Sequence, residues 1–90
     1  MNEAKNFKLL SMTPEAVYQL AADIDQFWNF ESGNDVRNVK RIAHFINIGR
    51  TYYLKIGLQA FIDGNRDRDP EQTEIAENLL RRLNLIRCNN

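Results

Sequence analysis

The sequence has one cysteine, two prolines, four glycines and no long apolar run. A lone Cys88 beside a lone His44 excludes an internal disulfide and offers no cluster from which a metal site could be built. Such sparing use of cysteine suits a reducing cytoplasm, which is the expected location. No segment approaches the roughly 20 apolar residues that cross a bilayer, so no membrane partner is expected. The opening stretch MNEAKNFKLL carries no apolar run behind its charges and does not read as a secretion signal. A net charge is also lacking: twelve Lys and Arg stand against twelve Asp and Glu. The chain as a whole therefore exerts no pull on DNA or acidic lipid, and any polyanion footprint must be local.

One absence is local. Between Val36 and Ile62 there is no Asp or Glu, while Arg37, Lys40, Arg41, Arg50 and Lys55 supply five cations. The remainder keeps seven cations against twelve carboxylates, a balance of minus five. This central stretch organises the reading of the chain. Ninety residues suffice for one domain with a modest core, which makes oligomerisation a reasonable expectation.

The predicted fold is all-α, a single domain over 1–90 with helices near 14–31, 35–46, 50–62 and 70–86. Residues 1–12 are expected to form an arm, flexible or packed. Thr13-Pro14-Glu15 is a helix start: a capping hydroxyl, a proline suited to the first turn and an acid at the positive end of the dipole. Val17, Leu20, Ala21, Ile24, Phe27 and Trp28 follow as one apolar stripe, with Gly33 as the stop. Asn34 or Asp35 caps the second helix. There Val36, Val39, Ile42, Ala43 and Ile46 share one face, and Arg37, Lys40, Arg41 and His44 the opposite one.

Asn47-Ile48-Gly49 reads as a turn. Glycine is costly inside a helix and Asn tolerates left-handed backbone. Yet Ile46, Gly49, Tyr53, Ile56 and Ala60 keep helical spacing across it, so one continuous helix over 36–62 is the alternative. In the third helix Tyr53, Leu54, Ile56, Gly57, Leu58, Ala60 and Phe61 cover a wide apolar arc. Thr51, Tyr52, Lys55 and Gln59 gather on the other side, a face of donors, acceptors and one cation. Asp63-Gly64-Asn65 is expected to end it. Asp69-Pro70-Glu71-Gln72 repeats the start signal, and Ile75, Ala76, Leu79, Leu80, Leu83 and Ile86 form the last stripe. Arg81, Arg82 and Arg87 near its end serve the helix dipole and solubility.

Enzyme chemistry has little to stand on, and none is expected. His44 has no nucleophile at useful spacing, and the glycines are scattered rather than gathered into a phosphate loop. Asp23 and Asp25, two apart, point to different sides of a helix. Asp63, Asp67 and Asp69 lack the spacing of a calcium loop and its closing glutamate. No cofactor is expected.

From Ile42 the chain reads IAHFINIGRTYYLKI. This resembles the helix-turn-helix of small bacterial and phage repressors and recombinases. Ile42, Ala43, Ile46, Ile48, Tyr53 and Ile56 fall at that family's apolar positions, the alanine where its two helices approach closely. Asn47 stands where the family opens its turn with glycine, and Tyr53 is bulkier than the usual residue. Leu54 is left partly exposed unless another chain covers it. The resemblance implies a central helix-turn-helix-like pair. It places Arg50, Thr51, Tyr52 and Lys55 in the major groove, with Asn47 and Gln59 beside them and Arg37, Lys40 and Arg41 on phosphates. TYYLKIGLQAFI is also similar to the second helix of ribbon-helix-helix antitoxins, in which Leu54 and Leu58 are buried in a dimer.

Two functions follow. The first is a homodimeric transcriptional regulator on double-stranded DNA. The second is a helical protein-binding module, an adaptor or phage-type inhibitor, with Tyr52, Leu54, Leu58 and Phe61 as anchors. A bend at Asn47 to Gly49 with Thr51 and Lys55 exposed together favours the first. A straight helix favours the second.

Overall fold

The structure, a computed structural model, describes residues 13–29 and 33–86. The N-terminal arm, Cys88 and Arg87 lie outside the described residues. Four helices account for the fold: α1 (Pro14–Trp28), α2 (Val36–Asn47), α3 (Tyr52–Asn65) and α4 (Pro70–Leu85). No strand occurs among the described residues. The all-α four-helix architecture expected from periodicity is the one found.

The caps explain where the helices begin. The Thr13 hydroxyl accepts from the Ala16 N–H at 3.0 Å. The Asp35 carboxylate accepts from the Arg37 N–H at 2.9 Å, and that of Asp69 from the Gln72 N–H at 3.2 Å. Helix α1 stops at Trp28, short of the expected Glu31, which lies outside the described residues. The reason sits on Asn29. Its amide donates to the Asp25 carbonyl at 3.2 Å and to Asp25 Oδ1 at 3.0 Å. A side chain that competes for backbone carbonyls in this way favours helix ends. Asp25 is itself buried, and its other oxygen accepts from the Asp35 N–H at 3.0 Å. One buried carboxylate thus ties the end of α1 to the start of α2. Asp23 points elsewhere, to Arg82 at 2.8 Å on α4, so the two carboxylates diverge as expected.

Helix α3 runs three residues beyond the expected Ile62, through Asp63 and Gly64. Asn65 supplies the stop. Its amide donates back to the Phe61 carbonyl at 3.0 Å, while its own carbonyl accepts from Thr73 Oγ1 at 3.0 Å. Thr73 is buried, although the periodicity of α4 singles out only apolar residues.

The core is assembled from two hairpins. Helix α1 packs on α2, α3 packs on α4, and a smaller α1–α4 contact joins the pairs. Leu20, Ile24, Val39, Ile46, Leu58, Ile62 and Leu83 are fully buried between them. The two middle helices, adjacent in sequence, do not close on one another in this way. Trp28, expected in the core stripe, is 45% exposed. It lies edge-on to Phe27 and Phe61, with ring centroids 4.8 and 6.2 Å away.

Candidate nucleic-acid interface

The joint between α2 and α3 positions the site. Helix α2 ends in a Schellman arrangement: the Gly49 N–H donates to the Ile46 carbonyl at 3.1 Å and the Arg50 N–H to the Phe45 carbonyl at 2.8 Å. Gly49 carries the left-handed backbone, φ +78°. Asn47, expected to open the turn, is the last residue of the helix. The chain bends here, and the continuous helix is not formed.

On α2, Arg37, Lys40, Arg41 and His44 are all exposed, opposite buried Val39, Ala43 and Ile46. Asn47 and Arg50 extend the exposed surface past the helix end. None of Arg37, Lys40, Arg41, Arg50 and Lys55 makes an ion pair among the described residues. The α2 basic face is therefore formed as expected and meets no carboxylate partner among the described residues.

The α3 side of the site departs from expectation. Thr51 and Lys55 are half-buried, so they are not exposed together. Gln59 is exposed, but its amide donates to Asp63 Oδ1 at 3.0 Å, which sets a carboxylate beside it. Tyr52 is exposed. At the positions the helix-turn-helix resemblance assigns to the interior, Ala43 and Ile46 are buried and Ile42 is half-buried. Ile48, Tyr53 and Ile56 are instead 45%, 83% and 44% exposed. Leu54, expected to be partly exposed, is half-buried and packs against the core, and Leu58 is wholly enclosed. Helix α3 is thus turned so that Leu54, Leu58, Phe61 and Ile62 face the core, Phe61 against Phe27 of α1, and the tyrosines face out. Leu58, enclosed within one chain, is not free for the dimer contact that the ribbon-helix-helix resemblance gives it, while Leu54 is half-buried and borders open space.

This rotation creates a feature that sequence reasoning missed. Ile42 and Phe45 of α2, Gly49 and Arg50 of the turn, and Tyr52, Tyr53 and Leu54 of α3 line a groove of ≈ 710 Å³. The Tyr52 and Tyr53 rings meet edge to face, 5.3 Å apart at 71°. A signal was available. Leu54, Leu58, Phe61 and Ile62 make a complete aliphatic and aromatic stripe on their own, which leaves Tyr53 for the other side.

Among the described residues, no group of three His, Cys, Asp or Glu is placed to hold a metal ion. None of the described helices is long and apolar enough to cross a membrane. Comparisons with family models, curated proteins and solved structures returned no match. The site is read from its chemistry.

Proposed function

We propose that this chain binds DNA through the acid-free face formed by α2 and the turn after it. The observation that carries this reading is a set of exposed cations with no ion pair among the described residues: Arg37, Lys40, Arg41 and Arg50. Helix stabilisation is a poor account of them. Arg37 sits in the first turn of α2, which contains no acid, at the positive end of the dipole. Arg37 and Lys40 are three apart and Arg37 and Arg41 four apart, so like charges are neighbours on one face, each pair costing a few tenths of a kcal/mol. The contrast is α4, which has Glu71 in its first turn and Arg82 in its last. The arrangement on α2 costs stability in isolation, and a polyanion offsets that cost.

Backbone phosphates are the ligands such a face suits. With four cations engaged, affinity for duplex DNA should fall about a hundredfold between 50 and 200 mM salt. Contacts so few give weak binding, so the role that fits is a cytoplasmic transcriptional regulator acting as a homodimer, with the phosphate contacts doubled. Titration of purified protein with random-sequence duplex at several salt concentrations tests the reading. K40A should weaken binding to every sequence alike and reduce the salt slope by about one. Absence of binding at low salt defeats the proposal.

A second reading, docking of a protein partner, draws support from the groove. Of its four anchors, Tyr52 and Leu54 border that groove. Leu58 is core and Phe61 lies against Phe27, with ring centroids 5.0 Å apart. Neither is free to act as an anchor.

A further inference from the structure

Tyr53 is the most exposed large apolar side chain among the described residues, at 83%, and Tyr52 beside it is 66% exposed. Both rings are held at the mouth of a groove floored by Ile42, Phe45 and Leu54. The groove's volume falls within the range of about 300–1,000 Å³ typical of small-ligand pockets. Arg50 is the one charged side chain lining it. Arg41, four residues before Phe45, is its neighbour on the α2 surface, and no Asp or Glu occurs in the sequence from Val36 to Ile62. An apolar aromatic slot with Arg50 in its wall has two complementary requirements: a flat apolar group for the slot, and negative charge beside it.

We propose that this groove stacks an unpaired base, and that the preferred ligand is single-stranded nucleic acid. This rests on the DNA-binding reading and refines it. A single strand meets both requirements at every nucleotide, a π-face for the ring and a phosphate for the cation. A duplex meets only the second, because its base faces are stacked on one another. Reading a duplex in the major groove needs donors and acceptors aimed at base edges. The first turns of α3 present Tyr52, Tyr53 and Ile56 instead, while Thr51 and Lys55 are half-buried and Gln59 is engaged by Asp63. The side chains on offer suit base faces and not base edges. The edge-to-face contact of Tyr52 with Tyr53 orients the outer ring and leaves its face open.

The test is fluorescence anisotropy with three labelled probes at one ionic strength: a short oligothymidylate, a duplex of equal length, and an acidic peptide carrying aromatic residues. Wild type, Y53A, Y53F and Y53L are compared. Tyr53 is so exposed that none of these changes disturbs the core. The expected result is oligothymidylate bound at least about tenfold more tightly than duplex. Y53A and Y53L should lose about tenfold or more on the single strand, and Y53F should retain most of the affinity. Duplex binding should be unchanged in all three variants. Equal or tighter binding of the duplex overturns the stacking inference and leaves the DNA-binding reading standing. Full affinity in Y53L also overturns it, since leucine keeps apolar area without a ring. Failure of both nucleic acids at low salt removes both readings, and tight binding of the peptide alone then assigns the groove to a protein partner.

Discussion

Gly49 and Gly57 are the same residue under opposite demands. Gly49 holds φ +78° at the end of α2, where a Cβ is strained whatever space surrounds it, so G49A should cost about 1–2 kcal/mol. Gly57 lies inside α3, and a Cβ there meets Trp28 Cζ2 at 3.6 Å, an ordinary contact. G57A should therefore stabilise by about 0.5–1 kcal/mol through helix propensity. Urea unfolding of both variants checks the pair, and a loss in G57A would mean that Trp28 is less tolerant than its contact suggests. Asp25 shows what residue-level reading cannot see. Its neighbours in the stripe, Ala21 and Ile24, mark the inner face, yet a carboxylate at that edge reads as solvent-facing. It is buried because Asn29 and the Asp35 backbone arrive from a loop to donate to it. Asn29, four residues on, is a helical neighbour, but the Asp35 N–H ten residues away is not implied by any spacing.

At the scale of the element, α2 carries its charges against its dipole. R37E places an acid in the first turn and sets opposite charges three and four residues from Lys40 and Arg41. That should raise stability by about 0.5–1 kcal/mol, a few degrees in melting temperature. DNA binding should fall in the same sample. Thermal unfolding followed by circular dichroism, with a DNA titration alongside, measures both; a lower melting temperature would show that the basic face does not strain the helix. Helix starts were legible because their signals are local: Thr13-Pro14 and Asp69-Pro70 cap within one turn. The basic face of α2 was legible too, since three apolar positions fix its opposite side. The rotation of α3 was not. Its apolar arc is wide enough to offer the core several sides, and packing against α4 and α1 decides among them. Aliphatic Leu54 and Leu58 went inward over Tyr53, whose hydroxyl needs a partner when buried. The resemblance to helix-turn-helix proteins ordered the apolar positions by sequence and could not register that choice.

For the molecule as a whole, packing outweighs charge. Leu58 is fully enclosed, so L58A should cost about 2–5 kcal/mol, a large share of the stability of a domain this small. The Asp23–Arg82 bridge also crosses between the hairpins, but its side chains are 38% and 40% exposed. R82A should cost less than about 1 kcal/mol. Chemical denaturation ranks the two, and comparable losses would contradict the primacy of the apolar core over the surface bridge. That junction and the turn at Gly49 are what keep the two hairpins of one chain together. The apolar rhythm continues through the turn, so a chain denied left-handed backbone at position 49 has an alternative. Helices α2 and α3 can fuse into a single rod about 45 Å long. The α1–α2 hairpin then meets an α3–α4 hairpin only on another copy, with the same α1–α4 contacts made between chains. G49A should accordingly shift the protein towards a domain-swapped dimer, seen as chain exchange between differently labelled copies that occurs only on unfolding, a reciprocal exchange in which one glycine sets whether a hairpin pairs within its own chain or with another copy's.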